Sequence, residues 1–208
     1  MINRGPSLLP KLIYINGPKG CGKTTLADLL TTTNPNGICQ VQFPMPLWEI
    51  ADGMLHLMGR LSDTDPPLDF ASPDVKAAMI NPNDMPGGPR WRDFLVDQAN
   101  LLRKYFGPQV LGIIAARSTS IYEMQGMDTI IFPNIRTHDD LIPLLPLAPR
   151  RDQVLIRLER EGATFEGDNG SYISPEGILS ITLSNNGTTT ELLTAALNFL
   201  EDTPDADP

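Results

Sequence analysis

The sequence has few of the features that mark secreted, membrane-spanning or metal-binding proteins. It contains two cysteines among 208 residues, and no apolar run approaches the roughly 20 residues that a membrane helix needs. Because Cys21 lies in a glycine-rich loop that a disulfide would restrict, reduced thiols are expected. The N-terminal segment lacks a long apolar stretch with a small-residue cleavage site. We therefore expect a cytoplasmic protein without membrane contacts.

Positive charge is also scarce. The formal net charge is −9, whereas proteins that bind long nucleic acids usually have a basic surface. Arginines nevertheless cluster at residues 90–103 and 150–160, so local basic sites are retained. No Cys/His cluster and no Ser/His/Asp set is evident, which leaves metalloenzyme and hydrolase functions without support.

Apolar patterning alternates between strand-like and helix-like segments. Strands are predicted at 11–16, 39–43, 129–132, 153–158 and 178–183, and helices at 23–30, 47–58, 74–80, 91–105, 109–124, 139–145 and 188–200. This alternation predicts an α/β fold with a mostly parallel sheet covered by helices. We expect a single domain over 1–200, with an insertion at about 59–89 and a lid at about 160–177. An acidic, disordered tail is expected at 201–208.

The clearest motif is the segment Gly17 to Thr24. It reads GPKGCGKT and matches GxxxxGK[ST] in full, between a predicted strand and a predicted helix. Glycines let backbone N–H groups converge on phosphate oxygens, and the helix N-terminus adds the positive end of its dipole. Lys23 is expected to reach the donor's terminal phosphates, and Thr24 to bind Mg²⁺. The predicted donor-binding residues are Gly17, Pro18, Lys19, Gly20, Cys21, Gly22, Lys23, Thr24, Thr25 and Arg160.

Six further segments surround this motif in a recognisable order. They are FPMPL at 43–47, PRWRDFL at 89–95, RKYFG at 103–107, IIFPNIR at 130–136, the strand and arginine at 154–160, and SNNGT at 184–188. Together with the glycine-rich loop they resemble the phage-type deoxynucleoside monophosphate kinases, a branch of the nucleoside monophosphate kinase family. Two positions depart from that pattern, since Asn134 stands where an acid is usual and Trp48 where a lysine is frequent.

The resemblance implies a P-loop kinase core with a helical substrate-binding insertion and a small lid. It also implies ATP- and magnesium-dependent transfer of a phosphoryl group to a deoxynucleoside monophosphate, in the cytoplasm of an infected cell if the protein is phage-encoded. An anionic acceptor calls for arginines rather than a strong base. The predicted acceptor-binding residues are Arg90, Arg92, Arg103, Arg136 and Trp48, and catalysis is assigned to Lys23, Arg92 and Arg136.

Two other functions are left open by the sequence. A kinase on the same core could phosphorylate the hydroxymethyl group of 5-hydroxymethyluracil in phage DNA, with Asp93, Asp139 or Asp140 as its base. Acids at a helix start more often cap the helix. A regulator that binds nucleotide without transfer is the third possibility. The acidic composition favours small nucleotides as partners. Three questions stay open: which nucleobase the acceptor carries, whether the chain forms a homodimer, and whether Asn134, Asp139 and Asp140 take part in magnesium coordination.

Overall fold

The computed structural model describes residues 11–43, 45–57, 68–69, 72, 74–75, 78, 90–167 and 170–201. The predicted helix at 74–80, the predicted insertion at 59–89 and the predicted tail at 201–208 fall largely outside these residues. The chain divides into two compact units, of which one comprises Met1–Phe43 with Gly112–Pro208 and the other Pro44–Leu111. The boundaries predicted for the domain, its insertion and its lid stay predictions.

The first unit contains a five-stranded sheet in which every pair of neighbouring strands is parallel. Its strands are β1 (Leu12–Asn16), β2 (Ile38–Gln40), β3 (Thr129–Ile135), β4 (Gln153–Glu159) and β5 (Leu179–Ser184), in the order β2-β3-β1-β4-β5. The strands of a parallel sheet are usually covered on both faces, which explains the apolar, buried runs in β1, β3 and β4; the edge strand β5 is more polar and more exposed. The predicted α/β class with a parallel sheet is confirmed.

Four helices belong wholly or mainly to the first unit. They are α1 (Lys23–Thr33), α4 (Val110–Met124), α5 (His138–Leu141) and α6 (Thr189–Glu201). Side chains of α1 and α6, including Leu26 and Leu192, share one buried cluster with Ile13 of β1. On the strands, Tyr14 and Phe132 stack with their ring centroids 5.6 Å apart. Tyr14 alternates with Ile13 along β1, so the rings lie on the sheet face opposite α1.

Several predicted boundaries are wrong, and two of them involve proline. Helix α1 continues past its predicted end at 30 to Thr33. β3 continues past Phe132 to Ile135, and its register with β1 shifts at the end of the strand, where Pro133 offers no N–H to the ladder. The helix predicted at 139–145 ends at Leu141, after which a 3-10 helix spans Ile142–Leu147 with two prolines in it. β2 covers only Ile38–Gln40 instead of 39–43.

The second unit is described mainly through α2 (Met45–Leu57) and α3 (Trp91–Phe106). Each helix has buried apolar residues at helical spacing, such as Ala51 and Leu55 in α2 and Leu95 and Ala99 in α3. Gly107 ends α3 with a positive φ of 93°, and its N–H donates to the carbonyl of Arg103. Within the described residues, no helix has both the length and the apolar character that crossing a membrane requires.

Candidate functional site

The glycine-rich loop joins the carboxyl end of β1 to the first turn of α1. Lys23 folds back onto this loop, where its Nζ donates hydrogen bonds to the carbonyl oxygens of Gly17 and Pro18, each at 2.7 Å. Cys21 Sγ lies 3.9 Å from the same nitrogen. The ammonium group is therefore held against the loop rather than extended into solvent.

The electrostatics of the loop link Lys23 to Arg136, which directly follows β3. Burial lowers the pKa of Lys23, the nearby Cys21 opposes this effect, and the positive charge of Arg136 lowers the pKa further. Asn16 pairs in register with Ile135, so Arg136 follows β3 at the same edge of the sheet at which Gly17 follows β1. Two of the three residues to which sequence analysis assigned catalysis, Lys23 and Arg136, thus follow the carboxyl ends of two neighbouring strands.

Two glycines of the loop are required by their surroundings. Gly22 adopts a φ of 98°, which is left-handed, and a Cβ there would collide with Asn185 Nδ2. A Cβ on Gly17 would lie 2.6 Å from the carbonyl oxygen of Leu158 in β4 and 2.7 Å from Cys21 Sγ. Burial raises the pKa of Cys21, so this residue is a protonated, space-filling thiol rather than a reactive thiolate.

The turn after β5 fastens the loop from the other side. Asn185 donates from Nδ2 to the carbonyl of Cys21 at 2.9 Å, and its own N–H donates to the carbonyl of Glu159 at 2.7 Å. The next residue, Asn186, accepts a hydrogen bond from the N–H of Glu161 at 2.8 Å. Arg160 Nη1 lies 3.5 Å from the carbonyl oxygen of Gly20, so this predicted donor ligand lies beside the loop. Its contact with ATP stays a prediction.

The remaining loop residues bear on the magnesium prediction. Lys19, Gly20, Thr24 and Thr25 are exposed. No group of three or more His, Cys, Asp and Glu side chains in the described part of the chain could hold a metal ion. Mg²⁺ commonly binds through one or two protein oxygens together with substrate phosphates and water. Thr24, which is exposed at the start of α1, fits that pattern, and its role in holding the ion stays a prediction.

Asn134 and Asp140 have structural partners. Asn134 donates from Nδ2 to Gln42 Oε1 at 3.2 Å, and Gln42 in turn donates to Gln40 Oε1 at 3.0 Å. Asp140 is 1% exposed and exchanges hydrogen bonds with Thr137, each at 3.2 Å, in the capping box of α5. The capping interpretation is confirmed for Asp140.

The other predicted acceptor residues belong to the second unit. Arg90 and Arg92 are exposed at the start of α3, and Arg103 and Trp48 are partly buried. Arg92 and Arg103 are 11 positions apart, which places them on one stripe of α3 but separates them by roughly 16 Å along the axis. Their contacts with an acceptor stay predictions. Between Arg90 and Arg92, Trp91 is 5% exposed and packs edge-on against Phe94.

Sequence analysis missed Asn16 and Tyr172. Asn16 is fully buried at the end of β1 and bonds to the end of β3 and to residues 171–173. Tyr172 donates its hydroxyl hydrogen to the carbonyl of Leu158 at 3.2 Å. The only local signal was a polar residue in the otherwise apolar strand LIYIN, directly before the glycine-rich loop.

Comparisons with known proteins give fold-level likeness. No family model and no curated protein matches the chain. A sugar kinase from Janibacter sp. HTCC2649 has 14% identity, a TM-score of 0.46 and coverage of 92% of this chain and 95% of its own. The APS kinase of Mycobacterium tuberculosis, in complex with AMPPNP and APS, has 12% identity, a TM-score of 0.46 and coverages of 95% and 100%.

A third similar structure is the dephospho-CoA kinase from Campylobacter jejuni. It has 8% identity, a TM-score of 0.43 and coverage of 92% of this chain and 96% of its own. At such identities and scores the likeness carries no argument about what this chain does. The loop and the side chains around it are therefore what indicate the function of this chain.

Proposed function

We propose that this chain is a P-loop kinase that uses ATP and Mg²⁺ to phosphorylate a deoxynucleoside monophosphate, giving the diphosphate. The observation that carries the proposal is a complete phosphate-binding loop whose Lys23 is held in place, with Arg136 at the end of the neighbouring strand. Lys23 Nζ is fixed 2.7 Å from two loop carbonyls, and the charge of Arg136 lowers its pKa. Two cations at the same edge of the sheet favour a ligand with several negative charges, such as a donor phosphate facing an anionic acceptor.

The proposed chemistry needs positioning and charge stabilisation rather than a strong base. An acceptor phosphate oxygen bonds to the γ-phosphorus while the bond to the β–γ bridging oxygen breaks, and the electron pair leaves with ADP. Lys23 would stabilise negative charge on the terminal phosphates, and Arg136 would bind the acceptor phosphate or the transferring group. Thr24 would hold Mg²⁺, which screens the charge of the donor.

The carboxylates that could act as a catalytic base bear on which acceptor the chain uses. A hydroxyl acceptor, such as hydroxymethyluracil in DNA, would require a base that can take up its proton. Of the candidate bases, Asp140 is buried and hydrogen-bonded to the backbone of Thr137, while Asp93 accepts a hydrogen bond from the N–H of Arg90 at 3.3 Å. Both carboxylates serve as caps at helix starts, whereas the third candidate, Asp139, is partly buried. The engagement of two of the three candidate bases supports an acceptor that is already an anion, as a nucleoside monophosphate is.

The test is an acceptor panel with ATP labelled at its γ-phosphate. We expect label to appear in deoxynucleoside diphosphates and to be absent from ribonucleotides and from DNA that contains 5-hydroxymethyluracil. The matched control is Lys23→Ala, which should reduce labelling by at least about a hundredfold because it removes a preorganised charge from the transition state. That control variant should melt cooperatively, because Lys23 does not pack in the core cluster.

The same panel separates the other candidate functions. Label found only in the modified DNA would contradict the proposed acceptor and make the DNA kinase the leading function. Nucleotide binding by the wild-type chain without transfer to any acceptor would instead indicate a regulator. The nucleobase preference would follow from the relative rates among the deoxynucleotides.

A further inference from the structure

The buried amide of Asn16 lies at a junction of the sheet. It is the last residue of β1, it precedes the first loop residue Gly17, and its exposure is 0%. A buried amide must find hydrogen-bond partners to offset its loss of water. The partners of Asn16 all come from segments that border the phosphate-binding loop.

Asn16 makes three hydrogen bonds. Its Nδ2 donates to the carbonyl of Ile135 at 2.8 Å and to the carbonyl of Ser171 at 3.1 Å. Its Oδ1 accepts from the N–H of Ile173 at 3.3 Å. One side chain therefore joins the carboxyl ends of β1 and β3 to a segment more than 150 residues away in the chain.

These bonds enclose the backbone of Arg136. On one side, the carbonyl of Ile135 is held by Asn16; on the other, the carbonyl of Arg136 accepts from the N–H of Ser171 at 3.1 Å. Ser171 is itself bonded to Asn16. The backbone position of Arg136 is thus determined by Asn16 directly and through one intermediate residue.

Residues 171–174, here called the strap, are fixed at further points. Tyr172 donates to the carbonyl of Leu158 at 3.2 Å, and Arg157 Nη1 donates to Ser174 Oγ at 2.7 Å. The Leu158 carbonyl oxygen is one of the two atoms, with Cys21 Sγ, that leave no room for a side chain on Gly17. The strap therefore bonds to the same piece of β4 that packs against the first residue of the phosphate-binding loop.

From this arrangement we propose that Asn16 is a positioning residue, which sets the location of Arg136 relative to the phosphate-binding loop. The inference rests on the proposed function, in which Arg136 acts on the acceptor phosphate or the transferring group. Asn16 reaches the loop through its covalent bond to Gly17 and reaches Arg136 through hydrogen bonds. A displacement of about 1 Å at a reacting group can cost on the order of a hundredfold in rate.

The test variant is Asn16→Asp, which keeps the size of the side chain but replaces the donating amide by an acceptor. The carbonyls of Ile135 and Ser171 would then lose their donor. We expect faster amide hydrogen exchange at residues 135–137 and 171–174 and a kcat about ten- to a hundredfold lower. The Kd of a non-hydrolysable ATP analogue should change much less than kcat, because the bonds from Lys23 and Asn185 to the loop are retained.

A double-mutant cycle separates positioning from a general loss of structure. If Asn16 acts through Arg136, Asn16→Asp should reduce kcat strongly in the wild-type background and little in Arg136→Ala. Independent, multiplying losses in the double variant would overturn the proposal. Asn16→Ser has a smaller side chain that retains one hydroxyl donor, so its kcat should lie between those of the wild type and Asn16→Asp. It replaces Asn16→Asp in the cycle if that variant fails to fold.

Gln153 provides a matched control at the opposite end of the sheet. It is 0% exposed, its Nε2 donates to the carbonyls of Leu145 and Ala148, and it pairs in register with Leu12 at the start of β1. Gln153→Glu makes the same exchange of donor for acceptor in a buried site. Gln153→Glu should lower the melting temperature but retain kcat at temperatures where the variant is folded. Equal losses of kcat in Gln153→Glu and Asn16→Asp would contradict a positioning role for Asn16.

The hydrogen-exchange measurement tests the positioning role of Asn16 independently of the proposed kinase function. If the wild-type chain transfers phosphate to no acceptor, the proposed function fails, whereas hydrogen exchange still reports on Asn16. Unchanged exchange at residues 135–137 and 171–174 in Asn16→Asp would overturn the positioning role whether or not the chain is a kinase.

Discussion

The phosphate-binding loop and helix α3 present their cations in contrasting ways. In the loop, Lys23 is partly buried and bonded to two carbonyl oxygens, and Asn185 fastens the loop from the turn after β5. On α3, Arg92 is exposed in the first turn, and Arg103 follows three turns later. The two regions therefore differ in how much order exists before a ligand binds.

The difference indicates how much conformational entropy each region would lose when its ligand binds. A long side chain that becomes ordered on binding loses up to about 2 kcal/mol of rotamer freedom. Lys23 is already ordered within its loop, so donor binding would cost little entropy there. Arg92 would lose its freedom when the acceptor arrives, so its contribution should be most visible in the acceptor KM. Arg136, which follows β3 at the same edge of the sheet as the loop, should behave like the loop.

The largest expected effect comes from comparing Arg136→Ala with Arg92→Ala. Each charged contact is worth about 1.5 to 3 kcal/mol, which corresponds to about ten- to a hundredfold. We expect Arg136→Ala to reduce kcat and Arg92→Ala to raise the acceptor KM, and neither should alter ATP affinity to the same extent. Steady-state kinetics with each substrate varied in turn would measure this difference.

Lysine replacements sharpen this comparison. Lysine keeps the charge but loses the two-pronged geometry of the guanidinium group, so Arg136→Lys and Arg92→Lys should restore activity only in part. Normal acceptor kinetics in both alanine variants would contradict the assignment of a monophosphate site. Loss of activity on DNA alone would indicate that these arginines bind a strand phosphate.

Much of the fold was predictable because its signals are local. Strand β1, the glycine-rich loop and helix α1 follow each other within 22 residues, from Leu12 to Thr33, and each has its own pattern of apolar or glycine residues. The same holds for α3, where apolar spacing and Gly107 determine the ends. Two of the boundaries that were wrong, at the end of β3 and after Leu141, depend on how prolines meet neighbouring strands and helices, which a local pattern shows less clearly.

The candidate site was less predictable because its supports are distant in sequence. Asn16 and Ile173 are 157 positions apart, and Asn185 and Cys21 are 164 apart. No periodicity connects such residues, since the contact exists only once β1, β4 and β5 lie side by side. The glycine-rich loop was identifiable because its chemistry is encoded within eight consecutive residues, whereas the side chains that hold it in place are not.

A smaller effect is expected from loosening the preformed loop at Asn185. Asn185→Ala removes the bond to the carbonyl of Cys21, and a net hydrogen bond of about 0.5 to 1.5 kcal/mol corresponds to a two- to tenfold weaker Kd for ATP. Asn186→Ala is the matched control, because Asn186 lies in the same turn but bonds to Glu161 instead of the loop. Titration with an ATP analogue measures the Kd of both variants. Equal losses of affinity would show that the turn as a whole, and not the bond from Asn185 to the loop, supports ATP binding.

The smallest effect concerns pH and the charge of Lys23. Burial, assisted by Arg136, places the pKa of Lys23 below the ordinary lysine value of 10.5. A bound phosphate favours the charged lysine and raises its pKa again, so ATP affinity is full below the pKa of the free protein and falls as pH rises through it. At that pKa only half of the lysines are protonated, and the apparent Kd should be about twofold weaker.

The decisive control for this titration is Lys23→Arg, since a guanidinium group does not lose its proton in the same range. Measurements above about pH 7.5 keep the phosphates of ATP fully ionised, so a change in Kd reports on the protein. Cys21 is the titratable group whose Sγ lies 3.9 Å from Lys23 Nζ, and burial raises its pKa. Cys21→Ala should therefore retain the pH dependence while Lys23→Arg flattens it. If the pH dependence of Kd persists in Lys23→Arg and vanishes in Cys21→Ala, the titrating group is the thiol of Cys21. That result would contradict the view of Lys23 as the preorganised cation of the loop.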